Sequence, residues 1–238
     1  MSKISFRFKA FLIHCLITFA LLTLATLLVF YVWYPHPLDN LMGVKKIYVT
    51  TVLSIFVLGP FITFIVAKED KKGLSSDFSF IGILQVSVLT YGLYSIGISR
   101  PAWIAFEDVR FEIVQANMID YSKVDQASQQ YLHPSWFGPQ YVMVRPAANS
   151  QEKNDRLFYE LTTGFAPSMQ PQLYMPFDKA WPNIMLAQKN VSLLSSDKVE
   201  QKALSMNAVT GWLPINGYVN SATVLLNTEN QKIIKIVQ

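Results

Sequence analysis

The sequence predicts a membrane protein with two parts: three N-terminal transmembrane helices, and a C-terminal α+β domain in which a small antiparallel sheet packs against two or three helices. Composition gives the first indication. Of 238 residues, 51% are apolar and only 15% charged, with a positive mean hydropathy, which is too apolar for a soluble domain of this length. Charge distribution gives the second. Residues 1–100 contain three long uncharged runs, whereas residues 101–238 carry 11 Lys or Arg against 12 Asp or Glu. With 10 Gly, 12 Pro and one Cys, the chain is neither disordered, nor collagen-like, nor a disulfide scaffold.

The runs 10–34, 47–67 and 78–99 are each long enough to cross a hydrocarbon core of about 30 Å at roughly 1.5 Å per residue. The first is no cleaved signal peptide. It exceeds the apolar length of one and ends in the bulky cluster Phe30, Tyr31, Trp33 and Tyr34, which suits a membrane interface and offers no small-x-small cleavage site. The domain limits are therefore 1–100 for the transmembrane region and 101–238 for the outer domain.

Lysines set the expected orientation. Lys3, Arg7 and Lys9 precede the first span and Lys68, Lys71 and Lys72 follow the second, while the intervening loop holds only Lys45 and Lys46 beside Asp39. Positive-inside counting puts the N-terminus and the 68–77 loop in the cytoplasm and, after three crossings, the C-terminal domain outside it, in a bacterial cell the periplasm. The net charge of +4 is thus an orientation signal, not a nucleic-acid patch. Cys15 lies in the first span, so the outer domain has no disulfide and depends on its own core.

Within that domain, Trp103 to Phe106 and Arg110 to Val114 read as strand. Ser122 to Asp125 with Val124, Ala127 and Tyr131 reads as a short capped helix, and Gln140 to Val144 as strand. Lys153 to Thr163 places Leu157, Phe158 and Leu161 on one helical face and ends at Gly164. Residues 166–181 read as a proline-rich loop with a strand at Leu173 to Met175, and Asp197 to Leu204 as an amphipathic helix. Trp212 to Ile215, Ala222 to Leu226 and Ile233 to Val237 close the chain as strands, the last two a hairpin.

Catalytic motifs are missing. His14, His36 and His133 have no ligand spacing, and no phosphate-binding loop, nucleophile elbow or HExxH pattern occurs, so no catalytic, metal or cofactor residue is assigned. Asp125, His133 and Ser135 form a triad only on paper, since any domain of this size contains such residues. The spans say more. Gly59 and Pro60 are expected to break and kink the second. Gly82, Ser87, Gly92, Ser95 and Gly97 make the third suited to close helix contact, either with its two neighbours or with a partner's transmembrane helix, and Tyr91 and Tyr94 stand near its outer end. His14 is the one ionisable side chain inside a span, about one turn past the inner boundary. Thr18, Thr23, Thr26 and Gln85 are ordinary polar contacts between spans. Of the aromatics Trp136, Phe137, Tyr174, Phe177 and Trp181, a core role is favoured over a docking surface.

Several strings, in order, resemble the type IV pilin accessory protein family of the TfpX/TfpZ type. They are Arg7-Phe8-Lys9-Ala10-Phe11-Leu12-Ile13-His14, Val32-Trp33-Tyr34-Pro35, Leu58-Gly59-Pro60, Tyr91-Gly92-Leu93-Tyr94, Arg100-Pro101, Arg110-Phe111, Leu213-Pro214-Ile215-Asn216-Gly217 and Thr223-Val224-Leu225-Leu226. The chain departs from that pattern at the final hairpin turn, where Asn227 and Asn230 replace an Asp and a Gly.

The resemblance implies a non-enzymatic, chaperone-like inner-membrane protein that binds its cognate type IV major pilin, through transmembrane helix and periplasmic head, during pilus biogenesis. Besides that pilin and membrane lipids, no nucleic-acid partner, small-molecule substrate or cofactor is expected. Candidate partner-binding residues are His14, Gly59, Pro60, Tyr91, Gly92, Tyr94 and Trp136. Pilins as a family carry a glutamate near the cytoplasmic start of their hydrophobic helix, at a depth similar to that of His14, which suggests a pair between them. The competing readings are a membrane-anchored enzyme that modifies pilin and a periplasmic ligand-binding sensor. Few spans and no acidic constellation weigh against the first, and an inner side of nine residues and a short loop weighs against the second.

Overall fold

A computed structural model describes residues 5–194 and 209–238. The chain forms two compact units. The first contains the residues up to Val32 and Val44–Ile98, and the second contains Trp33–Gly43 and Ser99–Gln238.

Three helices of membrane-spanning length build the first unit. Helix α1 (Phe6–Leu27) continues through a wider π-helical stretch, Leu28–Trp33. After the short α2 (Leu38–Leu41) come α3 (Val44–Val66) and α4 (Leu74–Ile98). Helix α3 is central, with α1 and α4 both packed on it. Lipid tails are as apolar as these side chains, so burial does not drive the packing; close backbone approach and polar contacts do. Thr18, Leu22 and Ala25 form the buried seam of α1, and Gly92 brings α4 so near α3 that a β-carbon there would lie 3.0 Å from the Thr51 methyl.

One expectation needs correction here. Gly59 and Pro60 do not break the second span, because α3 runs unbroken through both. Proline removes a single backbone bond, and unwinding further groups in an apolar medium would cost several kcal/mol each.

The second unit carries a seven-stranded sheet, larger than the small one expected and mixed rather than purely antiparallel, although the α+β class holds. Its strands are β1 (Pro101–Glu107), β2 (Arg110–Gln115), β3 (Gln140–Val144), β4 (Tyr174–Pro176), β5 (Gly211–Asn216), β6 (Ser221–Asn227) and β7 (Lys232–Val237), in the spatial order β4-β3-β1-β2-β5-β6-β7. The first two form a hairpin around Asp108, which adopts φ 51°, and the last three form a meander. In the final turn the Asn227 carboxamide accepts from the Asn230 amide at 2.8 Å.

Strand β1 is buried on both faces. Ile104 and Phe106 enter a core with Phe111, Trp181, Ile184 and Ile215, whereas Trp103 and Ala105 enter the opposite one with Val142, Val144, Tyr131 and Tyr174. Helix α6 (Trp181–Ala187) covers the first core. So do Leu38 and Leu41 of α2, although they belong to the link between the first two spans.

Helix α5 (Ser150–Thr163) is capped by Asn149, whose side chain accepts from the Glu152 amide, and stopped by Gly164 at φ 81°. Leu157, Phe158 and Leu161 share one face as expected, but that face points outward, and none of the helix's side chains is fully buried. Glu152, Arg156 and Tyr159 attach it instead. The Glu152 carboxylate accepts from Arg145 at 2.5 Å and Arg156 at 2.7 Å, and the Tyr159 hydroxyl donates to Asp120 at 2.7 Å. The helix expected behind Ser122 is two 3-10 turns, Val124–Gln126 and Gln129–Tyr131; Asp120 captures the Ser122 amide in a local turn, which competes with helix initiation. The helix expected at Asp197 to Leu204 lies outside the described residues.

Candidate functional site in the three-span unit

One polar cluster joins all three spans. The His14 imidazole on α1 contacts the Thr63 hydroxyl on α3 through Nδ1 at 2.6 Å and the Gln85 carboxamide oxygen on α4 through Nε2. Gln85 Nε2 then donates back to the Thr18 hydroxyl on α1 at 2.9 Å. Because the Gln85 oxygen can only accept, Nε2 carries a proton; a neutral ring leaves Nδ1 to accept from Thr63, and a charged ring donates at both nitrogens. Thr18 and Thr63 are fully buried.

Gly59 makes the arrangement possible. A β-carbon there would come within 2.7 Å of Gln85 Oε1, so the carboxamide reaches His14 by lying across the bare glycine backbone.

The cluster forms the floor of an apolar groove of about 480 Å³ between α1 and α4. Ile13, Ile17 and Leu21 border it on α1, and Phe78, Val86 and Leu89 on α4. Lys9 is the charged group at its rim. Gly82 also lines the groove and has no neighbour within 4 Å of a β-carbon placed there. The small residues of α4 thus divide: Gly92 serves packing within the unit, and Gly82 widens an open face. With one donor-acceptor floor in otherwise apolar walls, the groove can seat an apolar helix carrying a polar or acidic side chain, since a buried carboxylate requires hydrogen-bond donors or a cation.

The other candidate residues lie elsewhere. Pro60 is buried in α3, and Gly92 faces Thr51. Tyr91 and Tyr94 are exposed and are not part of the groove. Trp136 lies in the C-terminal unit, half exposed, on the loop before β3. Tyr174 and Trp181 are core, whereas Phe137 is exposed. Ser135, one member of the paper triad, uses its hydroxyl to accept from the Phe137 amide. Gln85 and Thr63 were not singled out as site residues by sequence reasoning. The available signal was that His14 and Gln85 are the most polar side chains in the uncharged runs 10–34 and 78–99 and therefore need partners in an apolar medium.

Relatives place the chain. Residues 2–43, which include His14, match the family model for the fimbrial assembly protein FimB. The chain is 30% identical over 193 residues, 79% of its own length and 75% of the relative's, to the fimbrial assembly protein of serogroup I from Dichelobacter nodosus. It belongs to the fimbrial assembly protein family. The serogroup E1 protein of the same organism gives the same identity and coverage, and the protein of serogroups C1 and C2 is 34% identical over 131 residues, 53% of this chain and 100% of that one. No solved structure matches the chain. This fimbrial assembly protein is thus a membrane protein of type IV pilus biogenesis, with an assembly role.

Proposed function

We propose that this fimbrial assembly protein holds its cognate type IV major pilin in the bacterial inner membrane before polymerisation, acting as a chaperone and not as an enzyme. Its N-terminus is cytoplasmic and its C-terminal domain periplasmic, as the lysine distribution indicates. The observation that carries the reading is the groove between α1 and α4 with His14 and Gln85 in its floor. The pilin's hydrophobic helix lies in it as a fourth helix, and Lys9 and His14 receive the glutamate near its cytoplasmic end. An unpaired carboxylate in the bilayer costs several kcal/mol, so a waiting pilin gains from such a partner.

The test places a photocrosslinking amino acid at Val86, in the groove, and at Phe61, exposed on α3 away from it, in the native host. A pilin adduct from Val86 and none from Phe61, abolished by Gly82→Leu and reduced by His14→Ala, is the expected result. Equal adducts at both positions, or adducts only with other envelope components, overturn the reading. A lipid-linked sugar in their place would favour a pilin-modifying enzyme.

A further inference from the structure

The C-terminal unit carries an uncharged loop fastened to the two residues at which its chain meets the apolar spans. Trp33 ends the first span and Arg100 follows the last residue of the third by two positions. The Trp33 indole donates to the Trp136 carbonyl at 3.0 Å. Arg100, only 3% exposed, stacks its guanidinium 3.9 Å from the centre of the Trp136 ring and donates through Nε to the Ser135 carbonyl at 3.1 Å and through Nη2 to the Pro134 carbonyl at 3.2 Å. All these residues belong to one unit.

The fastening presents apolar surface outward. Ser135 Oγ accepts from the Phe137 amide at 2.9 Å in a tight turn, and Gly138 follows at φ 96°. Phe137 is left 90% exposed and Trp136 54%. From Pro134 to Tyr141 there is no charged side chain. Keeping a phenyl ring in water forgoes the gain from its burial, and a loop fastened at both Trp136 and Ser135 does not fold it away. The outward Leu157, Phe158 and Leu161 of α5 differ: among the described residues that helix is held by Arg145 and Asp120, not by a span-end residue.

Both anchors stand at span ends. Trp33 closes the first candidate span and Arg100 lies two residues past the third, and direct hydrogen bonds tie residues 134–136 to these two span-end residues. Indole rings favour the membrane interface, and an adjacent bare phenyl ring favours the acyl side of it.

We propose that the Trp136–Phe137 loop inserts into the phospholipid headgroup–acyl boundary of the leaflet on its own side and anchors the C-terminal unit to the membrane surface. The occupant is lipid, because the loop is continuous with the exit points of the spans and offers no charge to a protein partner.

The test uses the full-length protein in nanodiscs of phosphatidylethanolamine and phosphatidylglycerol, without pilin, so its outcome is independent of the pilin reading. Cys15, the only cysteine, is replaced by alanine, and a nitroxide is attached at Phe137→Cys or, for comparison, at Asp155→Cys on the exposed side of α5. Insertion makes the ratio of oxygen to nickel-chelate collision several-fold higher at 137 than at 155. Equal ratios overturn the proposal, and so does shielding of position 137 from both reagents, which would mean a protein cover. Independently, the emission added by Phe137→Trp is quenched by phospholipid brominated near the headgroup; added emission that stays unquenched also overturns it.

Discussion

His14 and Gln85, 71 residues apart in the chain, share a hydrogen bond that exists because Gly59 has no side chain. Gly59→Ala therefore displaces the Gln85 carboxamide and acts on the same interaction as Gln85→Leu. Polar contacts between membrane helices contribute about 0.6 kcal/mol on average and up to ~1.7. Each single variant should lower the unfolding free energy of the purified protein in bicelles by that order, and the double variant should cost no more than the worse single one. Additive losses would mean that the glycine acts through backbone packing alone.

The spans and most strands could be read in the sequence because each depends on a local rule, an uncharged run of sufficient length or a short β-branched alternation. Partnerships are not local. Nothing along the chain shows that His14 meets Thr63 and Gln85, or that Leu38 and Leu41, in the 34–43 link between spans, belong to a distant sheet. Amphipathicity in α5 shows that the helix has two faces but not which of them packs; here Glu152, Arg156 and Tyr159 have enough partners for the polar face to win. Capping residues at Ser122 mark a helix start only when their amides are not already taken, as Asp120 takes this one.

That inverted helix is a stability prediction. Leu161→Ser, at an outward position, should change the stability of the C-terminal unit by no more than about 0.5 kcal/mol, whereas Ile184→Ala, fully buried in α6, should cost roughly 2–5 kcal/mol. Denaturant unfolding followed by tryptophan fluorescence measures both. A large loss at Leu161 would show that its face is covered.

Acid should release α5 first. The Arg145 guanidinium, the Ala148 amide and Arg156 hold the Glu152 carboxyl down at about 2, below its ordinary 4.5. A depressed carboxyl stabilises the fold above the ordinary value and loses that contribution as pH falls through the range down to about 2. Hydrogen exchange of α5, corrected for intrinsic rates, should accelerate over this interval in the wild type. In Glu152→Gln, exchange is already fast at neutral pH and has no such acid step.

Glu107 has the opposite sign. Burial raises its carboxyl above the ordinary 4.5, against the lowering pull of the Ser168 amide it accepts from and of Arg110 nearby. A raised carboxyl favours the fold in its protonated form, so its contribution is complete below the ordinary value and disappears as pH rises through the folded one. Glu107→Gln retains an oxygen for the Ser168 amide and removes the buried charge. Its melting temperature should exceed that of the wild type at pH 7, and the difference should shrink at pH 4.

The link between the first two spans behaves as core, and Leu41 is where this can be measured. Its side chain is fully buried among sheet residues, and its carbonyl accepts from the Val219 amide at 3.0 Å and the Asn220 amide at 3.3 Å in the β5–β6 turn. Gly217 permits that approach, because a β-carbon there would come within 2.7 Å of Leu41 Cβ and still closer to its carbonyl oxygen. Backbone cannot give way as a flexible side-chain end can, so even one methyl must pry the turn from the link. Leu41→Ala should cost roughly 2–5 kcal/mol, as for a core leucine, and Gly217→Ala should raise hydrogen exchange at the Val219 and Asn220 amides while leaving β1–β3 protected. If Leu41→Ala is neutral in chemical unfolding of the full-length protein, the link is only a tether and the sheet carries its core without it.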